Sequence, residues 1–145
     1  MDAAARRRTR VIASYDAIAK PYAERFFDEL DGKPWDRAWL DRFAEAVAGR
    51  GRVCDLGCGP GQIARYLAAR GVDAIGIDAS ASMIGTARAL NPTLTFARGD
   101  FLALTLPGRP LSDIAAAVLA LRMRRPVAPA PLIIFGSPAA VDAQV

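Results

Sequence analysis

One stretch, Val53-Cys54-Asp55-Leu56-Gly57-Cys58-Gly59-Pro60-Gly61, constrains this chain more than any other. A short apolar strand runs into an acid, and the acid into glycines at alternate positions. Glycine lets a backbone turn tightly and pass close to a ligand, because no Cβ intervenes. About twenty residues on, a second strand, Ala74-Ile75-Gly76-Ile77, ends in a second acid, Asp78. An acid so placed can hold the paired hydroxyls of a ribose. The two segments together describe a pocket for an adenine nucleoside.

The surrounding pattern is α/β. Arg52–Leu56, Ala74–Ile77 and Leu94–Ala97 read as strands. Helices are expected from about Gln62 to Arg70 and from Ser80 to Asn91-Pro92, the second burying Met83, Ile84, Ala87 and Leu90. Strands alternating with helices imply a parallel sheet, whose ligands bind beyond the carboxyl ends of the strands. Upstream, Tyr15, Ile18, Tyr22, Phe26 and Leu30 recur at helical spacing, with a break or kink expected at Pro21. A further helix is expected from about Trp35 to Ala48, with Trp39, Leu40, Phe43 and Val47 on its inner face. Ile114–Leu119 and Leu132–Phe135 are candidate later strands. The organisation expected is a basic disordered tail over 1–10, a helical lid over 11–50, a nucleoside-binding core over 51–125 and a Pro-rich divergent tail over 126–145.

Two kinds of nucleoside site use such a loop. The dinucleotide fingerprint, G-x-G-x-x-G, wants a third glycine where this chain has Gln62. It also has no use for an acid such as Asp55 beside a pyrophosphate. An acid there suits a ligand with a cationic end. The pattern D-x-G-x-G-x-G resembles motif I of class I S-adenosylmethionine-dependent methyltransferases, and Ile77-Asp78 resembles their motif II. Tyr15-Asp16-Ala17-Ile18-Ala19-Lys20-Pro21-Tyr22-Ala23 resembles the Y-D-x-x-A-x-x-Y-A opening of small bacterial members, and the resemblance runs over about residues 11–114.

That resemblance implies a Rossmann-like, mostly parallel sheet with helices on both faces, roofed by an N-terminal helical lid. It implies S-adenosyl-L-methionine as cofactor and methyl transfer to a small-molecule acceptor. Asp55 would serve the methionyl ammonium, directly or through water. Gly57, Cys58, Gly59 and Gly61 would form the loop beneath the methionine and ribose. Asp78, followed by Ala79, would take the ribose hydroxyls. Met83 would pack near the adenine, Asp100 would accept from its amino group and Phe101 would lie against its face. Tyr15 and Tyr22 would sit in the lid, with Tyr22 reaching the cofactor carboxylate. Each has a plainer reading: Asp55 and Asp78 as helix caps, Met83 as helix core, Asp100 as loop chemistry, the tyrosines as amphipathic packing. No residue is assigned a catalytic role. Histidine, the commonest general base near neutral pH, is absent.

Past Leu106 the resemblance decays. Arg122-Met123-Arg124-Arg125-Pro126 is not the family's R-x-L-x-P-G-G turn, and prolines follow at 126, 129 and 131. The tail reads as a truncation or an out-of-frame stretch that leaves the sheet incomplete at its C-terminal edge. An open edge would favour self-association. The alternative functions are a cofactor-binding remnant without turnover and a nicotinamide-dependent oxidoreductase, the latter disfavoured by Gln62 and Asp55. Nucleic-acid binding is not expected, since no aromatic-rich basic patch accompanies the arginines at 6, 7, 8 and 10. The longest apolar run, Ile114–Leu121, is too short to span a bilayer. Cys54 and Cys58 fit neither a C-x-x-C nor a metal pattern, so two free thiols, no metal and a cytoplasmic setting are expected.

Overall fold

A computed structural model describes residues 2–49 and 52–100, and the backbone of 105–106, 109–110 and 132–135. Three strands form the parallel heart of the molecule: β1 (Val53–Leu56), β2 (Ala74–Asp78) and β3 (Thr95–Arg98). Val53 pairs with Ala74, and Ile75 with Thr95. β4 (Thr105–Leu106) and β5 (Arg109–Pro110) make a separate two-stranded ladder. β6 (Leu132–Phe135) pairs antiparallel on the free side of β1, so the sheet order is β3-β2-β1-β6. Leu132–Phe135 is therefore a strand, as its composition suggests. Ile114–Leu119 lies outside the described residues.

The expected helices are present, with four corrections. α1 runs unbroken over Ala3–Phe26. The segment expected to be a disordered tail is thus helical from residue 3. Its N-terminus is capped by Asp2, whose side chain accepts from the Ala5 N–H at 2.7 Å, and alanine and arginine are strong helix formers. Nor does Pro21 break the helix. It forfeits one backbone hydrogen bond, but burial of Ala23 and the Tyr22–Phe26 ring contact at 4.7 Å hold the turn that follows. A 3-10 turn over Glu29–Gly32 leads into α2 (Pro34–Val47), which starts on a proline whose missing N–H costs nothing at that position.

α2 buries Leu40, Ala44 and Val47, while Trp39 is 59% exposed and stacks on Phe43. Trp39 and Leu40 are 100° apart around the helix, so both cannot sit at the centre of one buried stripe. α3 spans Gln62–Ala68 and α4 spans Ala81–Leu90. α4 buries Met83, Ile84 and Ala87, but Leu90, its last residue, is exposed.

One continuous core joins α2, α3 and α4 to Val53, Ala74 and Phe96 on one face of the sheet. Cys54, Leu56, Ile75, Ile77 and Ala97, which alternate onto the other face, are buried as well. Burial on both faces explains why the strands read as near-continuous apolar runs. At the centre, Gly76 faces Phe96 across the β2–β3 pair. A Cβ at Gly76 would lie 2.5 Å from the Phe96 ring and 2.7 Å from the Cys58 sulfur. Glycine here is a packing requirement, because the aromatic ring occupies the space a side chain would fill. Among the described residues, no helix is long and apolar enough to cross a membrane.

Candidate functional site

The carboxyl ends of β1, β2 and β3 come together beneath α1. The loop after β1 is built on three left-handed glycines, with φ of +71° at Gly57, +52° at Gly59 and +86° at Gly61. These angles are costly for residues with a Cβ, which is why the alternate glycines are legible in sequence. The loop is held from several sides. The N–H groups of Gly57 and Cys58 both donate to the Ile77 carbonyl, at 2.8 and 3.1 Å. The Asn91 side chain, buried at the end of α4, donates to the Pro60 carbonyl at 3.0 Å and to Ala87 at 2.9 Å. At Gly61 an added Cβ would lie 2.6 Å from Phe96 and 2.9 Å from the Asn91 amide. The loop therefore has little freedom to move inward.

Asp78 ends β2 in the position expected of a ribose acid. One carboxylate oxygen accepts from the Gly59 N–H at 2.9 Å and the other from the Ser80 N–H at 2.9 Å. Each oxygen has a further lone pair for an incoming hydroxyl. The plainer role, a turn acid ahead of α4, is filled at the same time. Helix capping itself falls to Ser80, whose hydroxyl accepts from the Met83 N–H at 3.1 Å.

Asp55 lies under the loop rather than on its surface. It is 0% exposed, and neither of its carboxylate oxygens has a hydrogen-bond partner. Burial pushes its pKa up from the ordinary 3.8 to about 7. The Ala64 N–H in the first turn of α3 opposes that shift without closing a hydrogen bond to either oxygen, and the Asp78 charge adds to it. A buried carboxylate with both oxygens unpartnered is costly unless something outside the fold uses its charge.

The lid is α1. Tyr22 leans over the loop, 3.8 Å from where a Gly59 Cβ would stand, and meets Tyr15 edge-on at 6.3 Å. Burial, and then the nearby Glu29 charge, raise the Tyr22 hydroxyl above its ordinary range. Asp16, in the same helix, accepts from the Ser80 hydroxyl at 2.6 Å and from the Ser82 N–H at 3.0 Å. Those two donors hold its carboxyl below the usual carboxylate range. At the other end of the site, Arg8 pairs with Asp100 at 2.8 Å. Behind the loop, Gln62 opens α3 and donates to Glu29 at 2.9 Å, and Glu29 in turn pairs with Lys33.

The structure thus brings together Asp55, Gly57, Gly59, Gly61, Asp78, Tyr22 and, at the far end, Asp100. Cys58 gives its backbone to the loop, but its thiol points into the core, where burial raises its pKa. Ala79 is half-buried, and its carbonyl accepts from Arg98 at 3.2 Å. Met83 is 1% exposed, so it packs as helix core rather than on an open ligand face. Phe101 lies outside the described residues. Sequence reasoning missed Asp16, Asn91, Arg8 and the Glu29–Gln62 pair. The only available signal was Asp16's place beside Tyr15 in the opening motif.

Comparison with known proteins gives a consistent picture. A family profile described as a methyltransferase domain matches residues 53–129. A ubiquinone biosynthesis O-methyltransferase of Acinetobacter baylyi is 42% identical over 80 residues, covering 53% of this chain and 33% of its own length. A trans-aconitate 2-methyltransferase of Rhizobium meliloti is 41% identical over 70 residues, covering 47% of this chain and 27% of its own. The aligned part of the chain spans about a third or less of the length of these curated relatives. Among solved structures, magnesium protoporphyrin IX methyltransferase from Synechocystis PCC 6803, determined with bound SAH, superposes with a TM-score of 0.51 at 21% identity, covering 68% of this chain and 54% of that one. At that identity the likeness is one of fold.

Proposed function

The chain belongs to the methyltransferase-domain family, and on that premise we propose that it binds S-adenosyl-L-methionine at the ends of β1–β3 and transfers its methyl group to a small-molecule acceptor. The observation that carries this reading is Asp78, its two oxygens fixed by Gly59 and Ser80 and still open to two hydroxyls. The two curated relatives are named for dissimilar acceptors. What their names share is methyl transfer, so we read the stretch they share with this chain as the part that serves the methyl donor rather than the acceptor.

The residues fit such a ligand. Asp78 takes the ribose hydroxyls through charge-assisted hydrogen bonds. The glycine loop presents bare backbone to the methionyl segment. Asp55, beneath the loop, supplies negative potential to a cationic group above it, and this accounts for a buried acid with no partner in the fold. Tyr22 leans over the loop, and Asp100, paired with Arg8, has acceptor capacity left for the adenine amino group. When bound, S-adenosylmethionine supplies an already activated methyl on a sulfonium. What remains for the protein is alignment and exclusion of water, and α1 across the strand ends provides the cover.

Calorimetric titration with S-adenosylmethionine and S-adenosylhomocysteine tests the reading, with Asp78→Ala as control. Binding by the native chain that Asp78→Ala weakens at least tenfold is expected, since a hydrogen bond to a charged group is worth about 1.5–3 kcal/mol. A folded native chain that takes neither ligand, or one that binds NADH instead, overturns it. Release of methyl from labelled cofactor onto a panel of phenols, carboxylates and amines then identifies the acceptor.

A further inference from the structure

We propose that Asp16 is a positioning residue for Asp78, coupling the seating of α1 to the geometry of the ribose-binding carboxylate. The inference rests on the cofactor reading above and extends it to a residue in the lid.

The argument is a chain of hydrogen bonds. Asp16 accepts from the Ser80 hydroxyl at 2.6 Å and from the Ser82 N–H at 3.0 Å, reaching across more than sixty residues of sequence. Ser80 is 1% exposed. A hydroxyl has a single proton to give, and Ser80 gives it to Asp16 while accepting from the Met83 N–H at 3.1 Å. That fixes the Ser80 side chain and, with it, the local backbone. The Ser80 N–H then donates to one Asp78 oxygen at 2.9 Å, and the other Asp78 oxygen takes the Gly59 N–H at 2.9 Å. The relay therefore runs from α1 through α4 and β2 to the glycine loop. Tyr22, less than two turns further along α1, meets the same loop at Gly59. One helix thus touches both ends of the relay.

The Asp16 carboxylate also stands at the N-terminus of α4, where negative charge is favoured. Helix stapling alone would account for the Ser82 contact. It does not account for the commitment of the one Ser80 proton to Asp16 beside the Ser80–Asp78 bond. An acid serving only to pin α1 would cost cofactor affinity equally whatever stood at position 78. An acid acting through Asp78 would not.

The test is a double-mutant cycle read as the dissociation constant for S-adenosylhomocysteine. Asp16→Ala should weaken binding about tenfold in the native background, the worth of one charged hydrogen bond. In an Asp78→Asn background the same change should cost about twofold or less, since contacts in one network are not additive. Asp16→Asn keeps an oxygen that accepts from Ser80 and Ser82 and should stay within about threefold of the native chain. If the alanine variant does not fold, Asp16→Ser carries the same cycle. Equal losses in both backgrounds, or no loss in the native one, overturn the coupling and leave the cofactor reading intact. Failure of the native chain to bind S-adenosylhomocysteine overturns both.

Discussion

Asp55→Asn separates what this acid costs the fold from what it does for the site. Folding moves the Asp55 pKa from about 3.8 to about 7, with burial as the leading cause. At about 1.4 kcal/mol per tenfold change, keeping it ionised inside the fold costs about 4 kcal/mol. The folded-state value lies above the unfolded one, so folding takes up a proton between about pH 4 and 7. The Asp55 contribution to stability therefore falls as pH rises through that window and is level above it. Asparagine has the same shape and never ionises. Its amide leaves the same two buried positions unpartnered, just as the protonated acid does.

The informative quantity is thus a difference of differences. Near pH 4 the two proteins should be about equally stable, since both are neutral at position 55. Near pH 8 the asparagine variant should be more stable by up to about 4 kcal/mol, or about 10–15 °C in melting temperature for a chain of this length. Urea denaturation without ligand, repeated at several pH values, measures it. Stability curves that stay parallel from pH 4 to 8 would refute the reasoning, because they would mean that Asp55 titrates alike in both states. The same variant should bind S-adenosylmethionine more weakly, so stability and affinity move in opposite directions.

A cationic ligand above the loop should pull the Asp55 proton off. Cofactor affinity should then rise with pH up to about 7 and level off above it, and calorimetry near pH 6 in buffers of different ionisation enthalpy should register proton release that Asp55→Asn abolishes. Gly76→Ala forces a Cβ to within 2.5 Å of Phe96 and 2.7 Å of the Cys58 sulfur. Overpacking of this kind costs about 1–3 kcal/mol in chemical denaturation, and Phe96→Leu in the same chain should recover part of it; a neutral Gly76→Ala would contradict the close packing described.

The segment from β1 to β3 was legible because each of its signals is local. Glycines at 57, 59 and 61 mark left-handed positions, Ser80 is a cap beside its own helix, and strand ends are fixed by where apolar runs stop. What escaped were features whose cause is far away in the chain. The Arg6–Arg10 cluster looked like a solvated tail, yet Asp2 caps it into helix and Arg8 finds Asp100 more than ninety residues on. Trp39 and Leu90 fit a helical period but fall at the margin of a stripe and at a helix end, where periodicity cannot distinguish buried from exposed. Asp16 has no sequence signal beyond its place in the opening motif, and Asn91 reads as a helix stop. Their partners, Ser80 and Pro60, become neighbours only once the sheet has formed.

Asp55 was legible as a candidate, but its burial was not. An acid ending an apolar strand in front of glycines suggests a side chain facing the ligand. Strand alternation instead sends it, with Val53, to the face that carries α3. There it has no hydrogen-bond partner among the described residues, whereas Asp78 at the end of the neighbouring strand has one for each oxygen. Asp55 registers with Gly76, two residues short of Asp78 on the neighbouring strand, and so lies deeper beneath the loop. Asp78 is pre-aligned by two backbone donors, which suits the hydroxyl recognition proposed for it. Asp55 closes no hydrogen bond to neutralise it, so its charge develops when a cationic ligand draws the proton off, in surroundings that screen poorly. A fold selected for stability alone would place an amide or an apolar residue there. A site for a cationic ligand gains from the unpaired charge.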